Sequence, residues 1–384
     1  MWNLPGSLAA RNVSIVLICS GLLIPSLLPA FANETSLPPV HIRRILRGHT
    51  EPTLAVRFSP DGRLLATCSK DDTVRLWDAK TGKVISILPI EDGPLVLAFS
   101  PDSKTLATGG AGSVIRLWDV DSGRLLRQLK DHSAFPLALG FWGAGQTLIS
   151  ARFDGTVTAW DVASGTKKSV FALANAQLLT AGTLSRDGRL LAAAESEPGG
   201  ASKITVWDVQ AKNLQKVIVI KQPIMFLSAG FSGDNRMLAT GAADGTVRIL
   251  EIATGRQLRV IEGRHVRVYS VEFSPDGTHL ASVGREGRIR LSNTTDWRQS
   301  GSFESRFGSE PCFVSFSADG LTLAASGADD HVVLYDLRAV LEMKRKRDEQ
   351  ERKKRTQGKG DKRGERRKGP FPESAPQIGC SPYS

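Results

Sequence analysis

One pattern recurs seven times along the middle of the chain and constrains what it can fold into. Each copy has an apolar stretch, a turn, a second apolar stretch, another turn and a third stretch. The first copy runs from Leu54 to Asp78 (LAVRFSPDGRLLATCSKDDTVRLWD). Successive copies end 41, 42, 47, 43, 42 and 43 residues apart, the length of one four-stranded unit. The endings are Trp77-Asp78, Trp118-Asp119, Trp160-Asp161, Trp207-Asp208, Leu250-Glu251, Ser292-Asn293 and Tyr335-Asp336.

The turns of the repeat carry hairpin chemistry. The first turn reads Ser59-Pro60-Asp61-Gly62, in which proline presets one corner, aspartate caps the turn and glycine accepts a positive φ. The second turn reads Asp71-Asp72-Thr73 in the first copy and Asp154-Gly155-Thr156 in the third. No part of this region shows a sustained 3.6-residue period. The pattern therefore predicts an all-β fold of short antiparallel strands.

These seven copies resemble the WD-repeat β-propeller family over roughly Val40 to Arg338. The resemblance implies a seven-bladed β-propeller of four-stranded antiparallel blades. Val40–Leu46 has the pattern of an outer strand without a blade of its own, whereas the last copy lacks its outer strand. We expect these two segments to pair, closing the ring and removing exposed sheet edges.

The resemblance also implies a hydrogen-bonded set in each blade, formed by a His, a Ser or Thr, an Asp and the Trp. The first copy carries the whole set, which we assign to His49, Ser69, Asp71 and Trp77. The third copy keeps His132, Asp154 and Trp160 and has Arg152 at the position assigned to the hydroxyl.

A partner-binding face follows from the same resemblance. In this family, the loops before the first strand and between the second and third strands share one face, the usual docking surface. Apolar and arginine side chains in these loops match the composition of an interface core. The alternative is that they turn inward and pack between blades. The candidates are Phe135, Arg152, Leu178, Met225, Phe226, Arg267 and Arg285.

The amino end has the features of a secretory signal peptide. Arg11 precedes an apolar run, and Ala30-Phe31-Ala32 supplies small residues at a cleavage site. We expect cleavage after Ala32 and a secreted or periplasmic mature protein. The alternative is an uncleaved membrane anchor. The predicted organisation is therefore a signal peptide at 1–32, a propeller at 40–338 and a tail at 339–384.

The tail accounts for most of the formal charge of +11. Residues Lys344 to Lys368 have a net charge of +9, so the central body is nearly neutral. The segment Leu337–Arg355 fits a charged helix, and disorder is expected beyond it. For an exported protein, anionic lipid or cell-wall polymer would be the partner of this tail. Nucleic acid is the alternative, and a solvated tail without a partner is another.

The inventory of catalytic motifs is poor. The sequence has no phosphate-binding GxxxxGK[ST] loop, no GxSxG elbow, no HExxH and no paired CxxC. We therefore predict no catalytic residues, no metal site and no cofactor. The prediction is a monomeric, exported scaffold that binds other proteins. An intracellular nucleic-acid-associated WD-repeat protein and a propeller enzyme are the two alternatives.

Overall fold

Each repeat folds as antiparallel strands, and the described residues form seven four-stranded sheets. The computed structural model describes residues 41–90, 93–130, 134–173, 179–195, 201–220, 222, 224–262, 266–304 and 311–342. The predicted signal peptide and the tail beyond residue 342 lie outside these ranges. The sheets confirm the predicted all-β, seven-bladed propeller.

The first four blades follow one another without exchange of strands. Blade 1 contains β2 (Thr53–Phe58), β3 (Leu64–Ser69), β4 (Thr73–Asp78) and β5 (Val84–Pro89). Blade 2 contains β6 (Pro94–Phe99), β7 (Thr105–Gly110), β8 (Val114–Asp119) and β9 (Leu125–Lys130). Blade 3 contains β10 (Pro136–Trp142), β11 (Thr147–Arg152), β12 (Thr156–Asp161) and β13 (Lys167–Ala172). Blade 4 contains β14 (Leu179–Leu184), β15 (Leu190–Glu195), β16 (Ser202–Asp208) and β17 (Asn213–Ile220).

The last three blades include the one that closes the ring. Blade 5 contains β18 (Phe226–Phe231), β19 (Met237–Ala242), β20 (Val247–Glu251) and β21 (Gln257–Ile261). Blade 6 contains β22 (Val268–Phe273), β23 (His279–Gly284), β24 (Arg288–Asn293) and β25 (Gln299–Glu304). Blade 7 contains β26 (Pro311–Phe316), β27 (Thr322–Gly327), β28 (His331–Asp336) and, as its outer strand, β1 (His41–Arg47). A short helix, α1, follows at 338–342.

The pairing of β1 with β28 confirms the predicted closure of the ring. The two strands run antiparallel, with Ile45 opposite Val333 and Leu46 opposite Val332. Leu46 is almost fully buried and packs with Trp77 of blade 1. Because blade 7 takes a strand from each end of the repeat region, opening the ring requires breaking a complete strand pair.

Burial explains why the middle strands read as continuous apolar runs. The second strands, such as β11 and β23, are buried along their whole length because neighbouring blades cover both faces. The hydrophobic core lies between blades: Trp118 of blade 2 packs with Leu76 and Leu88 of blade 1. The innermost strands of neighbouring blades also pack against each other around the ring. The outer strands have one covered side and are therefore much more exposed: only Leu88 of β5 and Leu129 of β9 are buried in those two strands.

In blades 1, 2, 3 and 5, the turn before the outer strand covers the outer strand of the preceding blade. Gly123, at φ +67°, shows why this contact needs glycine: a Cβ there would lie 2.7 Å from the Oγ of Ser86 on β5. Gly82 packs in the same way against Arg44 and Leu46 on β1. One face of each of these outer strands is thus sealed by the next blade.

Candidate partner-binding face

The loops before the innermost strands and the turns between second and third strands meet at one end of the propeller, here called the loop face. In five blades the same backbone hydrogen bond joins them, from a turn N–H to a loop carbonyl. It links Lys70 to Pro52 (3.0 Å), Ala111 to Gly93 (3.4 Å), Phe153 to Phe135 (3.2 Å), Ala243 to Met225 (2.8 Å) and Arg285 to Arg267 (3.0 Å). Phe135, Met225 and Arg267 therefore occupy equivalent positions around this face.

Blade 1 carries a hydrogen-bonded chain from its core to the loop face. The indole Nε1 of Trp77 donates to Thr67 Oγ1 (2.8 Å), and Thr67 Oγ1 lies 2.7 Å from His49 Nε2. His49 Nδ1 is 2.8 Å from Asp71 Oδ2. A neutral imidazole protonated on Nδ1 gives every donor in this chain an acceptor.

The protonation equilibria agree with that arrangement. Burial lowers the pKa of His49 below its ordinary value, although Asp71 pulls it upward. Burial would raise the pKa of Asp71, but hydrogen bonds from Thr73 and His49 outweigh it, so the pKa of Asp71 lies below its ordinary value. The chain therefore holds a neutral histidine against an ionised aspartate.

The hydroxyl of this chain is Thr67, which corrects the assignment of Ser69. Trp77 pairs with Leu65 across the sheet, so its indole reaches the residue two positions further along the same face, which is Thr67. Ser69 lies beyond that reach, and its Oγ donates to the carbonyl of Glu51 at 2.8 Å. Ser69 is therefore an anchor for the loop before β2.

Blades 2 and 3 repeat the contact between indole and hydroxyl. Trp118 Nε1 donates to Thr108 Oγ1 at 3.0 Å, and Trp160 Nε1 donates to Ser150 Oγ at 3.0 Å. Arg152 therefore does not stand in place of the hydroxyl that binds the tryptophan, which corrects the assignment made from the sequence. Its Nη1 donates to the carbonyl of Ala134 at 2.8 Å, the anchoring role that Ser69 has in blade 1.

The hydrogen-bonded set predicted for the third repeat also included Asp154 and His132. Asp154 caps its turn by accepting a hydrogen bond from Thr156 N at 2.9 Å. His132 lies outside the described residues.

Blades 4 and 5 each keep one half of the contact. In blade 4 Ala193 stands where Thr67 stands in blade 1, and the buried Nε1 of Trp207 has no hydrogen-bond partner. In blade 5 Thr240 supplies the hydroxyl but Leu250 replaces the tryptophan, and the buried Oγ1 of Thr240 has no partner. These two blades rely on apolar packing at this position.

Four of the predicted docking residues reach the surface of the loop face. Met225 is 39% exposed, while Phe135, Arg267 and Arg285 are partly exposed. Phe135 stacks on Phe153 with ring centroids 5.0 Å apart. Leu178 lies outside the described residues.

Two predicted docking residues, Arg152 and Phe226, are fully buried and cannot line the surface. Phe226 directly follows the exposed Met225, and Arg152 directly precedes Phe153, which is itself buried. Arg152 is the last residue of β11 and Phe226 is the first residue of β18, so both point into the packed blades. The inward packing considered as the alternative therefore applies to these two.

Sequence reasoning missed Phe153 and Val266. Phe153 is buried and supports the ring of Phe135 from below. Val266 is 47% exposed, next to Arg267. Phe153 stands in the turn after β11, between Arg152 and Asp154, and the sequence alone does not show that its ring lies against Phe135.

The loop face differs in charge from one side to the other. Blades 7 and 1 expose the carboxylates of Glu51, Asp72 and Asp330 around the exposed Lys70. On blades 5 and 6 the carboxylates of the turns are engaged, because Asp244 pairs with Arg248 at 3.0 Å and Glu286 pairs with Arg290, whereas Glu262 and Glu304 at the ends of the outer strands are exposed.

Arg267, Arg285, Met225 and Val266 therefore give the blade 5 and 6 side an apolar and basic character. This half, together with Phe135 of blade 3, is here called the docking half.

The innermost strands use their polar groups to join blades. Glu272 of β22 accepts a hydrogen bond from Phe316 N (3.4 Å) and lies 3.5 Å from Arg57 of β2. Burial raises the pKa of Glu272, and Arg57 opposes the shift. Ser315 accepts a hydrogen bond from Phe58 N at 3.3 Å. These contacts link blades 6, 7 and 1.

No group of three or more His, Cys, Asp or Glu side chains in the described part of the chain is arranged to hold a metal ion. Among the same residues, no helix has the length and apolar character needed to cross a membrane.

The family model described as "WD domain, G-beta repeat" matches residues 41–78, 84–119, 216–250 and 255–292. The chain carries WD40 repeats. Each matched segment begins on or just before the outer strand of one blade and ends on the third strand of the next, so the sequence repeat is offset from the blade by one strand. These repeats and the seven blades support membership of the WD-repeat β-propeller family, whose members generally bind other proteins.

Curated relatives share parts of this WD40 propeller. Protein Mut11 of Chlamydomonas reinhardtii is 53% identical over 55 residues, which cover 14% of this chain and 15% of that protein. Periodic tryptophan protein 2 of Arabidopsis thaliana is 25% identical over 310 residues, covering 76% of this chain and 29% of that protein. Human serine-threonine kinase receptor-associated protein is 48% identical over 50 residues, covering 12% and 14%. The matches thus cover less than a third of each relative.

Proposed function

We propose that this WD40 propeller is an exported scaffold that binds a partner protein through the docking half of its loop face. The observation that carries the proposal is the exposure of Met225 and Val266 next to Arg267. Exposed apolar side chains beside arginine are enriched at the centres of protein interfaces and are unfavourable in water.

The chemistry of the docking half indicates the kind of segment that it binds. Met225 has a flexible thioether that adapts to an apolar side chain, and Phe135 is held by its stack on Phe153. Arg267 favours carboxylates at the edge of that contact. The partner segment would therefore combine an apolar anchor with acidic neighbours.

Export and tethering are the sequence-based parts of this proposal. The segment before Ala32 supports export, and the net charge of +9 between Lys344 and Lys368 supports attachment to an anionic surface. The same basic segment also favours a second candidate, an intracellular propeller associated with nucleic acid.

Amino-terminal sequencing of the native protein from fractionated cells separates these candidates. A protein that starts at Asn33 in the exported fraction supports the scaffold. A protein that keeps Met1 and co-fractionates with nucleic acid in a salt-sensitive manner contradicts export and favours the second candidate.

Affinity capture tests the docking half. The wild-type chain and the Met225→Asp/Arg267→Glu double variant are used as baits in the same extract, with Asp72→Lys as the control on the opposite side of the face. We expect the double variant to lose the partner and Asp72→Lys to keep it. Equal recovery by all three baits would place the binding surface elsewhere.

A further inference from the structure

The outer strands of blades 1 to 4 expose most of the large apolar side chains of the described surface. In an ordinary soluble propeller these positions face water and would be polar. Apart from Met225 and Val266, all the exposed large hydrophobic residues lie there: Val84, Ile85 and Ile87 on β5, Leu125 and Leu126 on β9, Val170 on β13, and Leu214, Val217 and Val219 on β17.

Strand β5 differs from the other outer strands in having no charge. Its sequence is VISILP, from Val84 to Pro89. Charged residues on outer strands protect a sheet edge because they resist pairing with another strand. Every other outer strand carries at least one: Arg43, Arg44 and Arg47 on β1, Arg127 and Lys130 on β9, Lys167 and Lys168 on β13, Lys216 on β17, Arg259 on β21 and Glu304 on β25.

The geometry of β5 leaves an edge and one face open. In its sheet β5 is the last strand and pairs only with β4. The turn at Gly123 covers the face that carries Ser86 and Leu88. Ile87 alternates with these residues and is 52% exposed on the opposite face. Ile85 is the extra residue where the pairing of β4 with β5 shifts register, and it is 47% exposed.

We propose that β5 pairs antiparallel with β5 of a second copy of this chain, which joins two blades into one eight-stranded sheet. A two-fold axis sets a strand against itself, so a charge near the middle of the strand meets its own copy close by. Among the outer strands of the described residues, β5 alone has no charge, and β25 has a single one, Glu304, at its end. The monomer expected from the sequence would then be the dissociated form.

The proposed register brings the exposed isoleucines together. A two-fold axis perpendicular to the sheet and passing by Ser86 sets Ile85 of one copy directly opposite Ile87 of the other, on both sides of the axis. The pairing also satisfies backbone N–H and C=O groups along the open edge. It is closed, because each copy uses its only uncharged edge.

Sedimentation equilibrium of the full chain tests this proposal. The contact is small, so we expect a weak dimer that dissociates at about 10–100 μM. Ile87→Lys should weaken association at least tenfold. Val170→Lys, at a site equally exposed on β13, should leave it unchanged. Circular dichroism and the melting temperature verify that both variants remain folded.

A mixing experiment tests the register. Ile87→Lys and Ile85→Glu should each be monomeric alone, and an equimolar mixture should associate again because lysine then faces glutamate. A wild-type chain that stays monomeric over the whole concentration range would overturn the proposal. Equal weakening by Val170→Lys would also overturn it, and failure of the mixture to associate would refute the Ser86-centred register.

Discussion

Blade 1 and blade 4 bury a tryptophan at the same position but treat its indole N–H differently. In blade 1, Trp77 begins a chain of hydrogen bonds through Thr67 and His49 to Asp71. In blade 4, Ala193 removes the acceptor, and the N–H of Trp207 is buried without a partner. The same fold therefore forms with and without this chain, because apolar packing between blades supplies most of the stability.

The comparison also separates structure from function on the loop face. In blade 1 the residues at that end hold the blade together: His49 and Asp71 form its chain, and Ser69 fixes the neighbouring loop. Blades 5 and 6 have no such chain among the described contacts, and there Met225 and Val266 face solvent. We infer that polar residues on the blade 1 side stabilise the fold, whereas the docking half is available for a partner.

The largest difference in stability between blades should come from removing the hydroxyl that accepts a hydrogen bond from tryptophan, which is Thr67 in blade 1. Thr67→Val leaves the buried Trp77 Nε1 and His49 Nε2 without partners, and we expect a loss of about 2–4 kcal/mol in the free energy of unfolding. Thr240→Val removes a buried hydroxyl that already lacks a partner, so it should be neutral or stabilising. Urea denaturation of both variants measures the difference. Similar losses would mean that Thr67 acts through packing alone.

A smaller difference in the free energy of unfolding should separate the substitution of Trp77 in blade 1 from that of Trp207 in blade 4. Trp77→Phe and Trp207→Phe remove similar volume from the core, but only the first breaks a hydrogen bond. We expect Trp77→Phe to cost about 1–2 kcal/mol more than Trp207→Phe. Thermal denaturation checks the order, and a larger loss for Trp207→Phe would contradict this account of blade 4.

Restoring the missing acceptor should stabilise blade 4. Ala193→Ser places a hydroxyl where Thr67 stands in blade 1, and the Trp207 N–H would gain a partner. The expected gain is about 0.5–1 kcal/mol, measured by the urea midpoint. Ala192→Ser, on the opposite face of the same strand, is the control and should give no gain. A gain that persists in the Trp207→Phe background would show that the new hydroxyl bonds elsewhere.

The smallest expected effect is the pH dependence of the stability that His49 contributes to blade 1. Because the pKa of His49 is lowered by folding, its contribution to stability is complete above its ordinary pKa of 6.5 and is lost as pH falls below that value. Asp71, whose pKa is also lowered, contributes a loss in the same direction below its ordinary 3.8. The stability advantage of the wild type over His49→Gln should therefore shrink between pH 7 and pH 5. A constant difference would mean that His49 does not titrate within the chain.

Much of the fold could be predicted from the sequence because its turns and strand endings repeat at a nearly constant spacing. The closing strand, expected at Val40–Leu46, was found at His41–Arg47. The side-chain partners were harder to assign, since they depend on cross-strand register. Ser69 stands nearest the turn in the sequence, yet the register places Thr67 within reach of Trp77.

The docking half could be predicted only in outline, for the same reason. Alignment of the repeats located Met225 and Arg267, but it could not tell which neighbouring residues turn inward. Phe226 and Arg152 were therefore included although they are buried. The charge difference between the two sides of the loop face depends on ion pairs such as Asp244 with Arg248. The same four-residue spacing separates Asp71 from Arg75, yet Asp71 binds His49, so the spacing alone does not identify these pairs.

Hydrogen exchange of the propeller, with and without the captured partner, tests the docking half most directly. The account predicts slower exchange on binding at residues 224–226, 243–245, 266–268 and 285–287, and no change at 50–53 and 70–72. Protection confined to blade 1, or to an outer strand such as β5, would contradict it.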